Sequence, residues 1–232
     1  MSFFIDLLRA PERLVEQHAD RAAVGVLAPR LLATIAVGAA LFGTVPGSWR
    51  GGVQIAYAAI KMPGVFLLPL LVGLPLVAAI ARVVGLDAPW SRVSLAGLVG
   101  AARSAVLAAV LVPTYWLVQG AAWSYHEAVL ILAAALVVVG LPGLATLGAL
   151  APDLPRRALL TATAIVALGL PMAQGGWLLR PFVARPTAEV AFLRPVESNI
   201  ADALDTTATS ATGHYPGWEA ESSGLLRQRV TR

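Results

Sequence analysis

Uncharged apolar runs, separated by short stretches where arginine, aspartate, glycine and tryptophan collect, set the layout of this chain. The clearest run covers 63–81, 19 consecutive uncharged residues closed by Arg82. A helix of that length crosses a hydrocarbon layer about 30 Å thick, so the run predicts a transmembrane helix. Similar runs predict a first span over 24–45, a third over 95–118 (or 104–118 if Arg103 marks its border), a fourth over 128–150 and a fifth over 158–179. The expected fold class is all-α: a polytopic membrane helix bundle of about five transmembrane helices with interfacial amphipathic helices.

The flanking segments are amphipathic. In 49–62, Val53, Ala56, Tyr57 and Ile60 recur at i, i+3, i+4 and i+7, while Arg50, Gln54 and Lys61 group to one side. That pattern predicts a helix lying flat on the outer surface, with Pro63 opening the second span. Cysteines placed at 50, 54 and 61 are then expected to react from outside. Near the N-terminus, Phe4, Leu7, Leu8, Leu14, Val15, Ala19 and Ala22 oppose Glu12, Arg13, Glu16, Asp20 and Arg21, which predicts an interfacial helix with Pro11 near its first turn. The apolar stretch there is too short, and too interrupted by acids, for a signal peptide.

The expected organisation is therefore an interfacial N-terminal helix over 1–23, a five-span membrane domain over 24–180, a periplasmic or interfacial segment over 181–205 and a disordered tail over 206–232. The tail run TTATSATGHYPGWEAESSG is small, polar and rich in turn formers. Pro181 is expected to stop the fifth helix, with Trp177 and Arg180 at the headgroup level. Beyond it, Val190, Phe192 and Leu193 form an apolar patch, and Ser198 can cap a short helix with Ile200 and Leu204 on one side. This segment can fold back over Trp123, Tyr125, His126 and Glu127, with Arg180 or Arg185 pairing with Glu127, or else float on the lipid surface.

Composition agrees with the runs. Of 232 residues, 58% are hydrophobic and 13% charged, and the mean hydropathy of +0.75 lies outside the soluble range. Without cysteine there can be neither disulfide nor thiolate ligand. The net charge of +4 comes from arginines scattered over loops and helix ends, which suits lipid headgroups and argues against nucleic acid. Arginine far outnumbers lysine, which suggests a GC-rich bacterial genome. Trp49, Trp90, Tyr115, Trp116, Trp123, Tyr125 and Trp177 fall at span ends, where aromatic belts form. Pro69, Pro75, Pro113, Pro142 and Pro171 fall inside spans two to five; they and small residues such as Ala39 and Gly43 set packing, or else mark broken helices around a transport site. Arg9, Arg13, Arg21, Arg82, Arg92, Arg156 and Arg157 against Arg50 and Lys61 favour a cytoplasmic N-terminus, although Arg180, Arg185 and Arg194 on the opposite side weigh against it.

Candidate chemistry is sparse. His126 and Glu127 form an HE pair, but Leu130 stands where a zinc-binding helix needs its second histidine. Ser124, His126 and Glu127 are too crowded in sequence for a triad and read as an interfacial polar cluster. GLVG and GLPG lack the lysine of a phosphate loop. Arg30 can snorkel from near a helix end. Arg103 is the one charge able to lie well inside a span, and is expected to anchor at the cytoplasmic end near Asp87 or Asp153. No catalytic, cofactor-binding or metal residue is assigned.

The order of features, DLLRAPERL, a first span, GSWRGGVQIAYAAIKMP, a proline-bearing second span, a short loop and three further spans, resembles the Yip family (Ypt-interacting proteins), in particular its bacterial members. The resemblance covers about 5–180, and WLLRPF with FLRPVESN beyond it is similar to a variant among those bacterial proteins. It implies a five-span helical fold with a cytoplasmic N-terminus and no catalytic residues. Eukaryotic relatives act with small GTPases in vesicle trafficking through a long cytosolic N-terminal region that this sequence does not show.

The expectation is a non-enzymatic multi-pass protein of the bacterial inner membrane, a scaffold or organiser of a membrane assembly; the alternative is a small transporter or permease subunit. Expected partners are the lipid bilayer and a membrane protein or a second copy of the chain, with no nucleic acid and no cofactor.

Overall fold

The computed structural model describes residues 3–184, 192–193 and 200–211. Two short helices, α1 (Phe3–Arg9) and α2 (Pro11–Gln17), precede the long α3 (Arg21–Ser48). Pro11 opens α2, where its missing N–H costs nothing. Asp20 caps α3 by accepting from the Ala23 amide at 2.7 Å, so 21–23 belong to the long α3 rather than to the short helices before it. Leu7, Leu14 and Val15 are buried, and α1 and α2 pack on a later helix, α5 (Trp90–Val110), so their apolar side meets protein. Phe4 is exposed, whereas Phe3 lies beneath the Arg30 guanidinium, 4.0 Å from its ring centre.

A four-residue connection with Gly51 (φ 80°) and Gly52 (φ 60°) reverses the chain into α4 (Val53–Val83). This single helix corrects the flat helix expected over 49–62. Pro63, Pro69 and Pro75 all lie inside α4, because in a membrane bundle neighbouring segments compensate for the backbone bonds that proline removes. Pro29 and Pro46 likewise lie inside α3, in the one span where no proline was expected.

The expected third span is divided into α5 and α6 (Val112–Gly120), which meet at Leu111, just before Pro113. Two more long helices follow, α7 (Tyr125–Gly148) and α8 (Leu154–Leu178), the latter capped by Asp153. Helix α9 (Ile200–Ala211) runs past the boundary expected at 205. Positions 212–232, like Val190 and Ser198, lie outside the described residues.

Five helices are long and apolar enough to span a membrane, and the described residues contain no strand. They form a ring in the order α3, α4, α8, α7, α5, with α4 touching α5 across it and α9 lying on α7 and α8. Large apolar side chains such as Val26 (82% exposed) and Leu71 (75% exposed) cover the outside, as lipid contact requires. Chain direction places α1, α2 and the connections 84–89 and 149–153 at one end, and the connections 49–52 and 121–124 and the segment after α8 at the other.

Candidate functional site

The most concentrated polar contacts inside the bundle lie at the start of α4. Gln54 and Lys61 are seven residues apart, two turns along one face, and both are buried. Gln54 Nε2 donates to the carbonyls of Pro181 at 2.8 Å and Phe182 at 3.3 Å. Lys61 Nζ donates to Pro181 O at 2.6 Å and Phe192 O at 2.8 Å. The rings of Phe182 and Phe192 lie 5.1 Å and 5.4 Å from the ammonium, within cation–π reach. Tyr57 meets Phe192 edge to face at 5.2 Å. The only lysine in the chain thus sits among carbonyl dipoles and aromatic faces.

The contact is reciprocal. Past Leu178 the chain leaves helical geometry and its carbonyls need donors, while α4 brings two long donors that lipid would leave unpaired. Phe182, Val183 and Ala184 become buried as a result. The tail able to fold back onto the bundle does so, with α4 as an additional seat, while the Glu127 carboxylate serves the cap of α7. The segment after α8 seats first on α4, and α9 then lies beside α7 and α8. The sidedness of 49–62 is corrected: Val53 and Ile60 face outward, while Gln54 and Lys61 face protein. Cysteines at 54 and 61 would be shielded.

Arg103, part-buried, reaches across from α5 and donates from Nη1 to Pro142 O of α7 at 3.1 Å. Pro142 lies six residues before the end of α7, about 9 Å inside it. Arg103 is therefore held by a carbonyl within the bundle, correcting the anchor expected near Asp87 or Asp153. The two glycine motifs explain how it gets there. The last glycines of GLVG and GLPG face each other, and a Cβ on Gly100 would stand 2.5 Å from Gly143 O. Only glycine on both helices permits that approach, and it brings Pro142 within reach. A small apolar cavity of about 60 Å³ lies beside this crossing.

Gln119 of α6, also buried, donates to Val45 O of α3 at 2.8 Å. Tyr115 stacks on Phe42 with centroids 4.8 Å apart and is 5% exposed, so it belongs to the core rather than to the aromatic belt. Trp123, 96% exposed, stands outside.

The other sequence candidates are structural. Ser124 Oγ accepts from the Glu127 amide at 3.2 Å, and the Glu127 carboxylate accepts from the amides of Trp123 at 2.6 Å and Ser124 at 3.2 Å, a complete capping box on α7. His126 packs edge to face on Tyr125. The Arg180 guanidinium lies 3.5 Å from the Trp177 ring centre, and Arg185 lies outside the described residues. Among the described residues no three His, Asp or Glu side chains gather as metal ligands would.

Sequence reasoning missed Gln54, Lys61 and Gln119 as buried donors. The signal was present at Gln54 and Lys61: a lone lysine with glutamine two turns before it, on an otherwise apolar helix. No family model matches the chain, and neither a curated protein nor a solved structure matches it.

Proposed function

We propose that this five-span protein is a non-enzymatic scaffold of the bacterial inner membrane, Yip-like in layout, with its N-terminus in the cytoplasm and a membrane protein or a second copy as partner. One observation carries the reading. The long polar side chains inside the bundle, Gln54, Lys61, Arg103 and Gln119, direct their hydrogen bonds to backbone carbonyls of neighbouring segments. Such bonds hold segments in register. Arg9, Arg13, Arg82, Arg92, Arg156 and Arg157 collect at the end shared with α1 and α2, which supports the orientation.

Extraction in a mild detergent, crosslinking and identification of the crosslinked species test this reading. A reproducible membrane-protein partner or dimer is expected, and a lone monomer at native abundance would oppose it. The interruption at Leu111 together with Arg103 favours a second reading, a small transporter. Reconstituted vesicles distinguish the two: solute flux abolished by Arg103→Leu in a folded protein would favour transport.

A further inference from the structure

A second polar region lies at the opposite end of the bundle from Lys61. A cleft of about 520 Å³ opens between α2, the 84–89 connection, the start of α5 and the 149–153 connection. Its charged lining is Glu12 and Glu16 from α2, Asp87, Arg92 and Arg157. Glu12 and Glu16 are one turn apart on one helix face. No carboxylate in this set comes within 4.0 Å of a guanidinium, so both signs line one space without neutralising each other. The Arg92 Nε is buried and has no hydrogen-bond partner. Arg157 spends only Nη2, on Ala151 O at a long 3.4 Å. Guanidinium donors are left unspent beside carboxylates that are equally unspent.

The cleft also lies at a defined depth. Helices α4 and α7 end on it and α5 and α8 begin there, with Trp90, half exposed, at the start of α5. Tryptophan at a helix end marks the headgroup level.

We infer that this cleft binds the headgroup of an amine-bearing phospholipid, with Arg92 and Arg157 on the phosphate and Glu12, Glu16 and Asp87 on the primary ammonium. The chemistry selects among headgroups. A purely anionic one would meet three carboxylates against two guanidiniums. A quaternary ammonium has no N–H to donate to a carboxylate and is held best by aromatic faces, which this lining lacks. A primary ammonium donates three hydrogen bonds, and a phosphate accepts the planar donors of arginine. The inference is independent of whether the protein scaffolds or transports.

Native mass spectrometry of the full chain in detergent, titrated with phosphatidylethanolamine, phosphatidylcholine or phosphatidylglycerol, tests it. Phosphatidylethanolamine should be retained at least about tenfold more tightly than the other two, a difference of about 1.4 kcal/mol. R92Q/R157Q should weaken retention of all three lipids, because the phosphate is common to them. E12K/E16K, at exposed positions, should reverse it towards phosphatidylglycerol, a gain that a misfolded chain cannot produce. Equal retention of all three lipids, or no response to either double substitution, would overturn the proposal. Soluble glycerophosphoethanolamine supplies the same two charges without acyl chains. Displacement of the lipid only at large excess is expected, whereas competition at equal concentration would assign the cleft to a soluble zwitterion and overturn the lipid.

Discussion

Lys61 and Arg103 are both cations inside the bundle, and each is held by backbone carbonyls, yet their settings differ. Lys61 is 3% exposed, donates to two carbonyls and is flanked by two phenylalanine rings. Arg103 is part-buried and makes one bond at 3.1 Å, with its Nε unpartnered. The carbonyls that hold Lys61 belong to Pro181 and Phe192, outside any described helix, and Pro181 O also accepts from Gln54, whereas the carbonyl that holds Arg103 belongs to a helix and also accepts from Thr146 at 3.3 Å. The difference teaches that a buried cation contributes most where its partner depends on it. Lys61 organises a segment, while Arg103 rests on an interface that glycine has already built.

The comparison orders the expected effects. Lys61→Ala leaves two acceptors without their charged donor and should cost about 3 kcal/mol in detergent unfolding. It should also speed maleimide reaction at a cysteine placed at Val183, a clean readout because the chain has no other cysteine. An unchanged reaction rate would mean that the segment after α8 holds without Lys61. Gly100→Val drives a branched side chain into the α7 backbone and should cost about 2 kcal/mol. A wild-type melting profile for that variant would break the account of how Arg103 reaches Pro142. Gln54→Leu removes two donors while Lys61 still serves Pro181, so the same unfolding assay should register about 1 kcal/mol. Arg103→Leu should cost less than about 1 kcal/mol, since replacing a partly satisfied charge with an apolar side chain also removes its desolvation penalty. A larger loss would place Arg103 beside Lys61 as an organiser of the bundle.

Legibility in the sequence differed sharply between spans and site. Four of the five expected spans each fell on one long helix and the third on α5 with α6 after it, because the length of an uncharged run is a local property that lipid reads directly. The caps at Asp20, Ser124 and Asp153 are similarly local, each side chain bonding an amide three residues ahead. In 49–62 the periodicity separated two sides correctly, Val53 and Ile60 from Gln54 and Lys61, but which side faces protein was inverted. An interfacial helix turns polar groups to water; a helix in a bundle turns apolar groups to lipid and polar groups to any protein that can pair with them.

The amino-acid sequence by itself therefore determined the all-α class and the five spans, since each depends on neighbours within a few turns. Only the tertiary structure decided the sidedness of α4, the burial of Gln54 and Lys61, and the meeting of GLVG with GLPG. Lys61 finds Pro181 O across 120 positions and Arg103 finds Pro142 O across 39. Periodicity marks a donor in need of an acceptor, but the acceptor is an ordinary backbone carbonyl, which no residue type announces.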